Sequence, residues 1–248
     1  MGTEELSAEI VQALPALTPG QLKTIKAMVL ALGAQRTFWR SPDSDLVTQE
    51  VLDNMGDQLL AHHAGSHQAL TKDRFEHALE SALNKSGIQA QLACKNNPGH
   101  DITIANVPVN LKTEAAANIK MDSIHISKWM ELGKGMWDLA LLRNLFLKHM
   151  EGYERIFTLR CLRKDSGLYY ELVEIPKKLM LEATHCRFEI KTESKQKPQP
   201  GYGYVEGGGI QKYALYFDGG TERKLQIKKL RKDLCKVHAT WTFSSSIL

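Results

Sequence analysis

Apolar residues in the first ninety positions recur three and four apart, the spacing of helices with one buried face. Thr18-Pro19 with Gln21 reads as a helix start: a cap, a proline in the first turn and a capping-box glutamine. The apolar run through Met28, Val29, Leu30 and Leu32 ends at Gly33. A polar stretch from Arg40 to Asp45 follows. Residues 1–45 are therefore expected to form an N-terminal helical element, and residues 46–248 the main domain. Leu59 and Leu60 fit a further helix that runs out into a loop with His62, His63 and His67. Thr71 caps an amphipathic helix closed at Gly87. On it Phe75, Ala78, Leu79, Ala82 and Leu83 share one face, with Glu76 at the flank.

The period then changes. Asn96-Asn97-Pro98-Gly99 is a turn signal, and from Asp101 the chain alternates through Ile102, Ile104, Val107, Val109 and Leu111. A short turn is expected near Ala105-Asn106. Ser123 to Ser127 predicts another strand, and Trp137 to Met150 a leucine-rich helix. Arg155–Leu162 and Leu168–Ile175 read as a hairpin, Pro176–Leu181 as a short helix, and Arg187–Phe243 as mostly strands. This order predicts a mixed α/β (α+β) domain with a central mixed sheet flanked by helices and a strand-rich C-terminal part.

Composition adds modest constraints. With 43% apolar residues the chain can bury a core, and a net charge of +4 permits a polyanionic partner without demanding one. No apolar stretch is long enough for a membrane helix, and the start is acidic rather than that of a signal peptide. Cys94, Cys161, Cys186 and Cys235 lack paired spacing, which favours free thiols and a cytoplasmic location.

The alternating segment carries the candidate chemistry. Strand geometry puts Asn110, Lys112 and Glu114 on one face and turns Val109 and Leu111 to the core. Asp101 starts the neighbouring strand, so a tight hairpin sets it beside Asn110 and Lys112. Phosphodiester hydrolysis needs oxygen ligands for a hard cation and a lysine to orient water and offset charge. Asp101 and Lys112 supply this minimum.

The pair resembles the core motif of the PD-(D/E)xK nucleases, which include many type II restriction enzymes. Asp101 matches the first acid and Lys112 the lysine; Asn110 stands where the family usually has Asp or Glu. The resemblance implies a restriction-endonuclease-like core, Mg²⁺ held by Asp101 and Asn110, and a further acid. Glu76, from the preceding helix, is slightly favoured over Glu114. Asn97 to Ile104, Leu111 to Ala116, Ser127 to Gly135, Tyr153 to Arg160, Leu172 to Pro176, Gly201 to Val205 and Leu215 to Ile227 extend the likeness to type II restriction enzymes over most of the chain past Asp57. This wider likeness implies a homodimer cutting palindromic double-stranded DNA, with CCCGGG and blunt ends expected, in a restriction-modification setting. A non-catalytic DNA-binding module, suggested by Asn110, and a monomeric repair nicking nuclease are the alternatives.

A second Glu-x-Lys, Glu189 to Lys191, lacks a well-placed upstream acid, because Asp165 reads as a turn residue. Basic side chains gather in the C-terminal third, suited to phosphate. Arg223, Gln226 and Arg187 are candidates for base reading. Lys195, Lys197, Tyr202 and Lys134 are further candidate DNA contacts from loops and strands. The three clustered histidines are read as surface or DNA-proximal residues rather than as a metal site.

Overall fold

The computed structural model describes residues 2–94, 99–116, 118–164 and 167–244. Two helices, α1 (Thr3–Ala13) and α2 (Pro19–Leu32), open the chain. Thr18 and Gln21 form the expected capping box on α2. Residues Arg36–Arg40 form a strand, β1. Helices α3 (Gln49–His63) and α4 (Lys72–Lys85) follow, each started by a threonine whose hydroxyl accepts a first-turn N–H. Next come β2 (Ala90–Leu92), β3 (Ile102–Ile104), β4 (Val107–Glu114), β5 (Ser123–Glu131), α5 (Leu139–His149), β6 (Arg155–Lys164), β7 (Gly167–Glu174) and α6 (Lys177–Leu181). Five strands complete the order: β8 (Arg187–Ile190), β9 (Gly201–Gly207), β10 (Ile210–Asp218), β11 (Lys224–Arg231) and β12 (Lys236–Ser244).

Among the described residues these strands build two sheets. One is mixed, in the order β1-β12-β7-β6-β4-β3-β2, with β4 and β6 parallel. The other is antiparallel, in the order β5-β11-β10-β9-β8. Alternation along the mixed sheet divides its side chains between two cores. Val109, Leu111, Phe157 and Trp241 pack with α3 and α4. Ile156, Val173 and Ile175 face the other way, onto Phe146 of α5 and Leu215, Phe217 and Ile227 of the second sheet. The site therefore forms where β4 meets helices on one side and a second sheet on the other.

The β3–β4 turn sets the register. Ala105 and Asn106 both take positive φ, 46° and 68°, the handedness a two-residue hairpin turn requires. Ile104 then pairs with Val107 and Ile102 with Val109. One step further, the Asp101 N–H donates to the Val109 carbonyl at 2.9 Å, which puts Asp101 across from Asn110.

Residues 36–40 correct the expectation of an all-helical start. β1 pairs along its length with β12, and Phe38 packs edge-on against Phe243 with ring centres 5.6 Å apart. Gly56 in α3 makes room: a Cβ there would lie 2.2 Å from the Phe38 ring. By contrast, α1 buries no residue and α2 buries only Ala31. No described helix is long and apolar enough to cross a membrane.

Candidate active site

Asp101 is held by its own hairpin and by the neighbouring helix. One carboxylate oxygen accepts from the Leu111 N–H at 2.6 Å, and the other accepts from the Lys72 ammonium at 2.6 Å. Lys72 opens α4, and the same ammonium lies 3.2 Å from Glu76, four residues on. One cation thus bridges two carboxylates from two elements. Burial pushes the Glu76 carboxyl above its usual range; Lys72 opposes that shift and the Asp101 charge adds to it.

Asn110 and Lys112 point from β4 to the opposite core. Asn110 is 3% exposed, and its side-chain oxygen is buried without a hydrogen-bond partner. Lys112 is 5% exposed, with its ammonium 5.5 Å from the centre of the Trp129 ring. Burial brings the Lys112 ammonium down to about 8, although Asp101 favours its charge. The Trp129 indole N–H donates to the Tyr153 hydroxyl at 3.2 Å, and His149 sits edge-on to Tyr153 at 5.5 Å. His149 Nε2 is also buried and unpartnered, and burial with the nearby Lys112 charge lowers this ring to about 4. Lys72, Trp129, His149 and Tyr153 were not singled out for chemistry in the sequence. Lys72 left one signal, the Lys-to-Glu spacing of four at a helix start; the others arrive through contacts between distant elements.

Glu114 is taken elsewhere. Its carboxylate accepts from Arg160 on β6 and from the His125 N–H at 2.8 Å. Arg160 also binds Glu171, which accepts from Lys232 at 2.7 Å. Glu114 shares the strand face of Lys112, as alternation requires, but its oxygens serve a buried ion network. Beyond it opens a cleft of about 690 Å³ bordered by Lys120, His125, Lys228 and Lys229.

A second carboxylate and imidazole group gathers Asp45, Glu174 and His238, with ligand atoms within 4.8 Å of one another. Its centre already holds a cation from the chain. Arg155 donates twice to Glu174, at 2.7 and 2.8 Å, and once to Asp45 at 3.0 Å. The histidines that end α3 are likewise engaged, and His63 is buried rather than at the surface. His63 bonds the Ser66 carbonyl and the Tyr170 hydroxyl, and His62 bonds the Gln68 carbonyl and Arg74. Glu189 is exposed and near Arg187, and Asp165 lies outside the described residues.

The candidate DNA contacts fall into two groups. Gln226, Tyr202 and Tyr216 lie across from one another on adjacent strands of the antiparallel sheet. Tyr202 stacks on Tyr204 at 5.3 Å, and Lys228 stands 3.6 Å over the Tyr216 ring. Gln226 donates to Asp218 at 3.0 Å, and Arg187 lies 4.8 Å over Tyr204 at the sheet edge. The other group is built on loops. Arg223, at φ 42°, covers Trp137 at 5.6 Å and donates to the Gly135 carbonyl next to exposed Lys134. Trp137 in turn donates to the Gln199 carbonyl, in the loop that carries exposed Lys195 and Lys197. Lys212, Lys224, Arg231 and Lys232 are paired with acids of the chain.

Asp101 beside β3, Glu76 from α4, and the unpartnered amide oxygen of Asn110 and the buried Lys112 from β4 suit a hard cation and an anionic substrate. A family model described as SmaI, type II site-specific deoxyribonuclease, matches residues 10–243. The type II restriction enzyme SmaI of Serratia marcescens is 52% identical over 216 residues, which span 86% of this chain and 87% of that protein. No solved structure matches the chain.

Proposed function

The chain belongs to the SmaI family of type II site-specific deoxyribonucleases, and we propose that it hydrolyses one phosphodiester per strand of a palindromic duplex at a centre made by Asp101, Glu76, Asn110 and Lys112. The observation that carries this placement is the buried, unpartnered oxygen of Asn110 on the strand position across from Asp101. Leaving such an atom bare costs about 1–3 kcal/mol, and a cation shared with the carboxylates would satisfy it. The amide replaces the usual motif carboxylate as a neutral ligand, and Glu76 restores the charge that the substitution removes.

Mg²⁺ is the proposed ion. Bound there, it would acidify the attacking water and screen the charge that develops on phosphorus. Asp101 and Glu76 would hold it through carboxylates positioned by the β3–β4 hairpin and by α4. Lys72 neutralises the acid pair at rest; its side chain is 38% exposed, and it would have to leave the pair for a divalent ion to enter. Lys112 orients the water in line and takes up negative charge, and the Trp129 ring holds its ammonium in place. Direct attack by water leaves a 5′-phosphate and a 3′-hydroxyl. CCCGGG cut to blunt ends is the proposed target, as the resemblance read in the sequence implies, and a palindrome calls for a two-fold dimer. Of residues 1–45, the helices α1 and α2 are proposed as an element appended to the catalytic domain, to which β1 belongs through its pairing with β12.

A plasmid digest tests the centre. With Mg²⁺ the wild type should give discrete fragments, and EDTA should stop it. Asp101→Ala and Lys112→Ala should each lower the cleavage rate by at least about 100-fold. Cleavage by the Asp101→Ala protein at the wild-type rate would refute the placement. Wild-type protein that shifts DNA on a gel yet never cuts would favour a binding module, with Asn110 as the reason.

A further inference from the structure

We infer that α1 and α2 form a reciprocal interface with a second copy of this chain, α1 of one copy packing on α2 of the other. The inference adds a surface to the palindromic-target reading above and rests on it for the presence of two copies.

α2 has two apolar faces. Ala27 and Ala31 turn towards the body of the protein, where Ala31 is buried. Leu22, Val29 and Leu32 recur on the opposite side at positions i, i+7 and i+10, and all three are exposed, Val29 at 62%. A helix that serves only its own chain needs one such stripe. α1 repeats the pattern: Leu6 and Ile10 stand one turn apart, Ile10 52% exposed, and the helix buries nothing in its own chain. Together these two helices hold seven of the large exposed apolar side chains: Leu6, Ile10, Val11, Leu22, Val29, Leu30 and Leu32.

Charge selects the occupant. α1 carries Glu4, Glu5 and Glu9 and no basic residue, while α2 carries Lys23 and Lys26 and no acid. Glu9 flanks the Leu6–Ile10 stripe with Glu5 one turn before it, and Lys26 flanks the Leu22–Val29 stripe of α2, with Lys23 further round towards Ala27. Two α1 helices would repel, as would two α2 helices; an α1 on an α2 matches both charge and apolar surface. A two-fold axis makes that contact twice, since what the first copy offers the second also offers. The acids on α1 also argue against DNA as the occupant of this surface.

The test is sedimentation velocity of the full chain without DNA at low salt. One variant carries Glu5→Lys and Glu9→Lys; another carries Lys23→Glu and Lys26→Glu. In each, both helices then have the same sign, and the dimer dissociation constant should rise at least about tenfold. In a one-to-one mixture every α1 again meets an α2 of opposite sign across the interface, so the dimer should return. A monomeric wild type, variants that dimerise like wild type, or a mixture that stays monomeric would each overturn the inference. Melting temperatures check that the variants fold; should one melt early, Ile10→Asn and Val29→Asn replace the pair, and unchanged dimerisation of both would overturn it. Cleavage is read separately on wild type. A wild type that cuts DNA while the interface test fails leaves the nuclease reading intact, and a wild type that dimerises through these helices but never cuts leaves the interface standing alone.

Discussion

At one end of β4, Asp101 and Glu76 share the Lys72 ammonium, while the Asn110 oxygen and His149 Nε2 lie buried without partners. At the other end, Glu114 and Glu171 share Arg160, whose guanidinium also donates to the Lys120 and Ser123 carbonyls at 2.6 and 2.8 Å. Both clusters pair two acids with a cation from the chain. The Arg160 cluster is closed, with a fixed fork of donors matched to acceptors on all sides. The Asp101 cluster is held by a flexible, partly exposed lysine and keeps polar atoms unsatisfied. Residue types alone do not separate a structural ion network from a candidate catalytic centre; the presence of groups awaiting a partner does.

This contrast can be broken by mutation. Arg160→Met should show the largest stability effect. It removes the shared cation from buried Glu114 and Glu171, leaving the His125 N–H to Glu114 and Lys232 to Glu171, a loss of up to about 3–5 kcal/mol that denaturant unfolding would register. A variant as stable as wild type would mean that the network is not closed in solution.

The Arg155 cluster sharpens the same point through pH. Burial pushes the Glu174 carboxyl up, but hydrogen bonds from His238 and Arg155 outweigh it and hold the group at about 2. A carboxyl held below its unfolded value gives stability that is complete above the ordinary carboxylate range and is lost as pH falls towards 2. Glu174→Gln should remove on the order of 2–3 kcal/mol at neutral pH and flatten the acid limb of the stability profile. An unchanged acid limb would remove Glu174 from the account.

Lys72→Ala should have the smallest effect. Stability should change by less than about 1 kcal/mol, because one partner is partly exposed. Freed of its competing ammonium, the acid pair should reach half-maximal cleavage at a lower Mg²⁺ concentration. A cleavage loss as deep as that of Asp101→Ala would instead make Lys72 part of the chemistry.

What the sequence reveals is local. The Thr18 capping box, the Thr71 cap and the tight turn at Ala105-Asn106 depend on residues a few positions apart, and each is readable from spacing. The shared strand face of Asn110, Lys112 and Glu114 follows from alternation. β1 was missed because its partners on β12 lie some two hundred residues away, and because Gly56 in a helix reads as a weak position until Phe38 fills the space above it. Glu114 reads as only slightly less suited than Glu76 for a similar reason. Only the parallel pairing with β6 delivers Arg160 to it, and only the packing of β5 brings Trp129 over Lys112.

The most direct measurement is therefore the duplex-cleavage rate of Glu76→Ala beside Glu114→Gln, each with its unfolding free energy. The account expects Glu76→Ala to lose at least about 100-fold in rate while keeping its stability. It expects Glu114→Gln to unfold more easily yet, where folded, to cut within about tenfold of wild type, a cost under about 1.4 kcal/mol in the barrier. The reverse pattern, with Glu114 needed for the chemistry and Glu76 dispensable, would contradict it.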